Sequence, residues 1–138
     1  NYIRASLEAQ NMGADNALML TTSGHISETP IANIFWTDGE AIYTPNLECD
    51  ILPGITRGII SRLIRNQTDL TLKKGRFEPQ DLDKAEAVWV CNSLREITPI
   101  KTIDDKSYDT DHKIVNKLVG VFEKFKEENV VPLKELTS

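Results

Sequence analysis

Polar side chains interrupt the apolar pattern of this sequence at three points where a strand ends or a helix starts. The three groups are Glu28 with Asn33, the stretch from Gly54 to Thr56, and Asn92 with Ser93. A carboxylate that enters a protein core needs a partner, because an unpaired buried charge costs several kcal/mol. Together the three groups indicate a pocket with one acid, one anion site and a loop of small polar groups.

The helix that begins near Gly54 is the clearest candidate for the anion site. Pro53 fixes the approach, Gly54 removes any Cβ near the first turn, and Thr56 places a hydroxyl beside backbone N–H groups that have no acceptor within the helix. A helix N-terminus carries about half a positive charge, so such groups can bind a phosphate without a lysine. The alternative is an ordinary helix start at which Thr56 acts as a local cap.

Other kinds of chemistry find little support in the sequence. His25 and His112 have no cysteine or carboxylate at metal-ligand spacing, so we expect no metal site and interpret both as surface or turn residues. No nucleophile motif stands in a strand-to-helix turn, so we expect no hydrolytic triad. For Glu28 the alternative to a binding role is an ion pair with Arg57 or another cation.

Length, composition and charge favour one globular domain with small-molecule chemistry. The chain has 138 residues, of which 40% are hydrophobic and 27% charged. A net charge of −5 without a cluster of lysine and arginine argues against nucleic acid or an anionic membrane as a partner. Cys49 and Cys91 lack CxxC spacing, and no signal peptide is visible, so we expect reduced thiols and a cytoplasmic location. Asn1 is not a start methionine, and we expect a larger parent protein.

Hydrophobic periodicity predicts alternating strands and helices, and therefore a mixed-sheet α/β domain. Ile3 and Leu7 predict a helix over residues 2–12 that stops at Gly13. Asp38-Gly39 predicts a hairpin turn. Other predicted strands cover residues 17–21, 31–37, 41–44, 70–73, 87–91 and 96–100, and other helices begin near residues 54, 79 and 114. In the helix after Gly54, the predicted apolar face is Ile55, Ile59, Ile60, Leu63 and Ile64, and the predicted polar face is Arg57, Ser61, Arg62 and Arg65.

Four motifs in order resemble those of the class IV aminotransferases, which are the fold-type-IV pyridoxal-phosphate enzymes. The motifs are Ser27-Glu28-Thr29-Pro30-Ile31-Ala32-Asn33-Ile34-Phe35, Tyr43-Thr44-Pro45, Leu52-Pro53-Gly54-Ile55-Thr56-Arg57 and Glu96-Ile97-Thr98-Pro99. The family includes branched-chain aminotransferases, D-amino acid aminotransferases and aminodeoxychorismate lyases. The resemblance implies that residues 1–138 form the larger, barrel-like C-terminal domain of a D-amino acid aminotransferase-like enzyme.

The resemblance also implies roles for individual residues around pyridoxal 5'-phosphate. Glu28 would face the pyridine nitrogen, and a carboxylate there keeps that nitrogen protonated. Ile55 and Thr56 would bind the phosphate, Ser93 would add phosphate or substrate contacts, and Tyr2 would approach the ring hydroxyl. The full set implied for the cofactor is Tyr2, Glu28, Asn33, Leu52, Gly54, Ile55, Thr56 and Ser93. On the substrate side it is Asn92, Leu94 and Arg95, where Arg95 could bind a carboxylate or simply face solvent.

The resemblance places the catalytic lysine of the family a few residues before Asn1, so we expect no catalytic residue within this chain. The smaller N-terminal domain would precede it too, and the implied assembly is a homodimer acting on a small-molecule substrate. Cys91-Asn92-Ser93-Leu94 is similar to the lyases, whereas Glu96 to Pro99 has the form common in aminotransferases. We favour a 4-amino-4-deoxychorismate lyase over a branched-chain or D-amino acid aminotransferase, and a noncatalytic binding domain is the third alternative.

Overall fold

The computed structural model describes residues 2–7, 16–28, 32–46, 54–92 and 96–129. In these residues the strands are β1 (Tyr2–Leu7), β2 (Asn16–Met19), β3 (Asn33–Thr37), β4 (Ala41–Pro45), β5 (Thr71–Gly75), β6 (Ala87–Asn92), β7 (Glu96–Ile103) and β8 (Lys106–Ser107). The helices are α1 (Ile55–Gln67), a short 3-10 helix (Pro79–Lys84) and α2 (Lys113–Asn129).

Within the described ranges the eight strands form one mixed sheet, in the order β2-β1-β7-β6-β3-β4-β5 with β8 paired to β7. The pairing of β4 with β5 is parallel, and all the other pairings are antiparallel. A parallel pair needs a crossover connection, and α1 lies in that connection. The mixed-sheet α/β class is confirmed, and the sheet of the expected barrel-like domain is open, with β2 and β5 at its two ends.

Both faces of the central strands are packed with hydrophobic residues. Successive side chains of a strand point to opposite faces, so alternate residues of one strand enter different clusters. Val88 and Val90 of β6 pack into the cluster on one face, and Trp89 and Cys91 pack into the cluster on the other face. Residues from α1 and α2 belong to the second cluster, so both helices cover that face. Neither helix combines the length and the apolar character that crossing a bilayer would require, as judged over the residues described.

The helix predicted over residues 2–12 is wrong in its described part, because Tyr2–Leu7 is strand β1. Ile3, Ala5 and Leu7 also fit the two-residue period of a strand, so the local pattern does not decide between the two structures. The neighbouring strands decide it: β1 pairs with β2 on one side and with β7 on the other. Residues 8–13 lie outside the described ranges.

Helix α1 forms where it was expected, but its buried face differs from the predicted one. The buried residues are Thr56, Arg57, Ile60, Ser61 and Ile64, whereas Ile55 is 79% exposed. A stripe at positions 57, 60, 61 and 64 follows the helical repeat and faces the sheet, and position 55 lies on the opposite side. The prediction that Arg57 and Ser61 lie on the exposed face is therefore wrong.

Most of the other predicted elements are confirmed. The apolar run Ala87–Cys91 lies in β6, and its residues are all buried. The hairpin at Asp38-Gly39 joins β3 to β4, and Gly39 has a φ of 95°, which favours glycine. The helix predicted to begin near residue 79 is present as the 3-10 helix Pro79–Lys84.

His112 is not the surface or turn residue that the sequence indicated, because it is 6% exposed. It directly precedes α2, and its Nδ1 accepts a hydrogen bond of 3.1 Å from the backbone N–H of Ile114. Its Nε2 lies 2.8 Å from Oε1 of Glu86. Both ring nitrogens therefore help to fix the start of α2, which explains why the side chain is buried.

Candidate functional site

Asn33 connects the predicted acid to the start of helix α1. It is the first residue of β3 and is 7% exposed. Its Nδ2 donates a hydrogen bond of 3.1 Å to Oε2 of Glu28. Its Oδ1 lies so close to Gly54 that a Cβ added at Gly54 would overlap it. Gly54 is distant from Glu28 and Asn33 in the sequence, and the fold brings the three residues into continuous contact.

The first turn of α1 has the features of an anion site. Gly54 is the N-cap residue, and the N–H of Gly58 makes the first helical hydrogen bond, at 3.0 Å to the carbonyl of Gly54. The N–H groups of residues 55 to 57 therefore have no acceptor within the helix. The first turn contains no acidic residue, and the Thr56 side chain is buried there. We call Glu28, Asn33 and Gly54–Thr56 the entrance cluster.

Thr56 lies inside the first turn and not at the N-cap position, which belongs to Gly54. A side chain at the N-cap would ordinarily bind the free N–H groups that follow it. Glycine has no side chain to do so, and these N–H groups remain suited to an external anion. This geometry favours the anion site over the capping role that the sequence left open for Thr56.

Strand β6 ends beside the start of β3, because the two strands are antiparallel. Cys91 pairs with Asn33, and Asn92 is the next and last residue of β6. Asn92 is half-buried and pairs with Glu96, the first residue of β7. Asn92 therefore lies at the same end of the central strands as the entrance cluster.

The thiol of Cys91 belongs to the core and not to the candidate chemistry. The side chain is 1% exposed, and burial raises the pKa of Cys91 to about 12, although the nearby charge of Arg57 acts in the opposite direction. A neutral, enclosed thiol is a poor nucleophile at ordinary pH. The residue therefore serves packing beside Asn33.

Of the remaining predicted site residues, the structure describes Tyr2 alone. Tyr2 is the first residue of β1, and the register of that strand places Ala5 opposite Ile103, the last residue of β7. Tyr2 therefore lies toward the opposite end of β7 from Glu96, and its contact with a cofactor stays a prediction. Leu52, Ser93, Leu94 and Arg95 lie outside the described ranges.

The sequence did not indicate two buried residues near the entrance cluster, Arg57 and Thr44, as site residues. Arg57 is 4% exposed, and its Nη2 donates a hydrogen bond of 2.8 Å to the carbonyl of Pro45. Thr44 is fully buried, and its hydroxyl donates a hydrogen bond of 2.7 Å to the carbonyl of Ile34. Both residues stand within the quoted motifs, which was the one signal that could have indicated them.

Comparison with known proteins identifies a matching family model and similar proteins. A family model described as amino-transferase class IV matches residues 1–103. The chain is 39% identical over 110 residues to an aminodeoxychorismate lyase of Bacillus subtilis, a match that covers 78% of this chain and 36% of that protein. The chain therefore spans little more than a third of the length of this relative.

Two solved structures support the same grouping. One is a Legionella pneumophila protein with a provisional description as a 4-amino-4-deoxychorismate lyase, with a TM-score of 0.77 and 31% identity over 85% of this chain and 43% of that chain. The other is a branched-chain amino acid aminotransferase of Thermobaculum terrenum in its PLP-form, with a TM-score of 0.78 and 27% identity over 88% of this chain and 40% of that chain.

Proposed function

The chain belongs to the amino-transferase class IV family, and we propose from that membership that the complete protein is a pyridoxal-phosphate enzyme whose cofactor binds at the entrance cluster. The observation that supports this most strongly is the continuous contact from Glu28 through Asn33 to Gly54. A cofactor with a phosphate at one end and a ring nitrogen at the other needs an anion site and a carboxylate close together. The entrance cluster supplies both.

The residues present fit the phosphate group. The free N–H groups of Ile55 and Thr56 and the Thr56 hydroxyl are the donors that a phosphate accepts at a helix N-terminus. The first turn of α1 contains no acidic residue, so no side chain of that turn offsets the positive field of the helix N-terminus. Gly54 lets the backbone approach closely, since any side chain there would meet Asn33.

The residues present also fit the pyridine ring. When bound, pyridoxal phosphate supplies an electron sink that stabilises a developing carbanion, and a protonated ring nitrogen strengthens that sink. Glu28 would hold a proton at the ring nitrogen, because a carboxylate next to a cation favours the charged form. Asn33 orients Glu28 through the hydrogen bond from its Nδ2. We assign Glu28 to the cofactor and not to the substrate.

Other parts of the active site are proposed to lie outside this chain. The lysine that binds the cofactor would precede Asn1, and no lysine of the chain is assigned that role. An N-terminal domain of the same protein would supply further substrate-binding residues, and the complete protein would be a cytoplasmic homodimer. Leu52 and Ser93 would add contacts to the cofactor, Tyr2 would approach its ring hydroxyl, and Asn92, Leu94 and Arg95 would face the substrate.

For the reaction we propose a 4-amino-4-deoxychorismate lyase that releases pyruvate and 4-aminobenzoate, as a step of folate biosynthesis. The 39% identity to the Bacillus subtilis lyase supports this choice, as does the similarity of Cys91 to Leu94 to the lyases. The second candidate is a branched-chain or D-amino acid aminotransferase. The Thermobaculum terrenum structure, which aligns with 88% of the chain, favours the branched-chain form of that candidate.

Substrate assays on the complete protein separate the two reactions. The protein receives aminodeoxychorismate alone, and then branched-chain or D-amino acids together with 2-oxoglutarate. We expect pyruvate and 4-aminobenzoate to appear without any keto acid, because elimination needs no amino-group acceptor. Turnover that strictly requires the keto acid would overturn the lyase in favour of the aminotransferase. Inactivity in both assays would favour a binding domain, and a Glu28→Gln protein run in parallel controls for contaminating enzymes.

A further inference from the structure

Arg57 is a buried cation directly next to the proposed phosphate site. Only 4% of the residue is exposed, and it lies on the face of α1 that packs on the sheet. A buried arginine is uncommon, because the guanidinium loses its hydration when it enters the protein. Burial accordingly lowers the pKa of Arg57; the nearby Cys91 acts in the opposite direction, and the like charge of Arg65 lowers the pKa slightly further. The position of Arg57 therefore has a cost that some other interaction must offset.

The hydrogen bond of Arg57 reaches a rigid point of the sheet. Nη2 donates to the carbonyl of Pro45, at 2.8 Å, and Pro45 is the last residue of β4. Pro45 pairs with Gly75 of β5, and the N–H of Asn46 donates to the carbonyl of Gly75 at 2.9 Å. One residue earlier, Thr44 is bonded to Ile34 of β3. Arg57 thus links the first turn of α1 to a strand end that is fixed on both sides.

Stability alone is a poor explanation for an arginine at this position. Its Nε is buried without a hydrogen-bond partner, and so is Oγ of Ser61 one turn further along the helix. A buried N–H without an acceptor is destabilising, and an apolar side chain of similar length would avoid that loss. Across the residues that the structure describes, no carboxylate forms an ion pair with Arg57. Its positive charge therefore remains available to an anion nearby.

Building on the phosphate site proposed above, we propose that Arg57 is a positioning residue for the cofactor phosphate. By binding the Pro45 carbonyl it holds the first turn of α1 against the end of β4, and so fixes the N–H groups of Ile55 and Thr56 that face the phosphate. Its charge adds to the field of the helix at the same place. Arg57 acts through these groups and does not touch the reacting atoms.

The test compares two ligands that differ only in the phosphate. In the complete protein, dissociation constants are measured for pyridoxal 5'-phosphate and for pyridoxal, and the thermal midpoint of the cofactor-free protein is recorded. We expect Arg57→Met to raise the dissociation constant for pyridoxal phosphate about tenfold, a change of about 1.4 kcal/mol in binding free energy. The dissociation constant for pyridoxal should stay unchanged. The dissociation constant of Arg57→Lys for pyridoxal phosphate should lie between those of the unaltered protein and Arg57→Met. Lysine keeps the positive charge but lacks the planar guanidinium with its several N–H donors. Arg65→Met, at an exposed arginine of the same helix, is the matched control and should change neither constant.

The variant Thr56→Val separates this inference from the phosphate site on which it depends. In one outcome, Thr56→Val weakens the binding of pyridoxal phosphate relative to pyridoxal and Arg57→Met does not. That result would support the phosphate site and overturn the role of Arg57. An equal rise of both dissociation constants in Arg57→Met would show that Arg57 has a structural role alone, and would also overturn its proposed role toward the phosphate. If the unaltered protein binds the two ligands equally well, the phosphate site itself is wrong. Should Arg57→Met fail to fold, Arg57→Lys decides, because an unchanged ratio of its two constants contradicts the proposal.

Discussion

Replacing Gly54 with alanine tests the contact that joins the acid to the helix. Gly54 has φ −63° and ψ 142°, a conformation open to any residue, so the backbone itself opposes nothing. Alanine restricts the unfolded chain, which is worth about 0.4–1 kcal/mol, but glycine is preferred to alanine at an N-cap, so these two effects about cancel. Here the new Cβ would overlap Oδ1 of Asn33, whose side chain is buried and whose Nδ2 donates a hydrogen bond to Glu28. Forcing an atom into a packed site costs about 1–3 kcal/mol, so we expect a net loss of about that size.

The assay is the free energy of unfolding of the cofactor-free protein in urea, with two comparisons. Gly58→Ala lies on the same helix, and its Cβ would meet nothing within 4 Å, so it should stabilise by about 0.5–1 kcal/mol. The double variant Gly54→Ala/Asn33→Ala removes the overlapping amide. The cost of Gly54→Ala should fall to near zero when it is measured against Asn33→Ala alone, because the two residues are in contact.

Two results would refute this reasoning. If Gly54→Ala proves as stabilising as Gly58→Ala, Asn33 does not press against the helix start. Alternatively, the loss on Gly54→Ala could persist in full in the Asn33→Ala protein, and then the loss has another origin. Either result would remove the main support for the entrance cluster as one site.

Three further predictions concern single side chains. Glu28→Gln should keep the cofactor bound and lower kcat by orders of magnitude, because an amide cannot hold a proton at the ring nitrogen; near-normal steady-state turnover would contradict the assignment. Cys91 has a pKa raised to about 12 by burial, so in the native protein it should resist iodoacetamide at about pH 8, as mass spectrometry of its peptide will show; labelling as fast as in the denatured protein would contradict its burial. Burial alone would raise the pKa of Asp38, but hydrogen bonds from the Ala41 N–H and the Tyr43 hydroxyl lower it below the usual value. A lowered folded-state pKa adds stability above the unfolded-state pKa, so Asp38→Asn should be less stable than the unaltered protein above about pH 4. Urea unfolding should show that difference fading as the pH falls through the lowered pKa, and a difference that stays constant would contradict it.

Elements with a strong local signal could be predicted from the sequence. The run Ala87–Cys91 is apolar throughout, which indicates a strand buried on both faces, and β6 is such a strand. Asp38 and Gly39 supply the side-chain acceptor and the positive φ that a tight turn requires. In both places the chemistry of a few adjacent residues selects one structure.

Elements that depend on distant neighbours could not be predicted in this way. The pattern of Ile3, Ala5 and Leu7 suits a helix or a strand, and only pairing with β2 and β7 selects the strand. Helical spacing predicts Arg57 on the polar face of α1, where a charge is ordinarily solvated. Its bond to Pro45 exists only after β4 and α1 have packed together.

The candidate site shows the same division. The resemblance indicated Glu28, Asn33 and Gly54 as site residues, and the structure shows that they touch. Periodicity and composition could not have shown that contact, since it joins a loop, a strand and a helix start. The roles of Leu52, Ser93, Leu94 and Arg95 stay predictions, because these residues lie outside the described ranges.

A crystal structure of the complete protein with pyridoxal 5'-phosphate is the most direct test of the entrance cluster as the cofactor site. Phosphate oxygens should lie within about 3 Å of the backbone nitrogens of Ile55 and Thr56. The ring nitrogen should lie within hydrogen-bonding distance of the carboxylate of Glu28. A phosphate bound away from the first turn of α1, or a ring nitrogen that faces a group other than Glu28, would contradict the assignment.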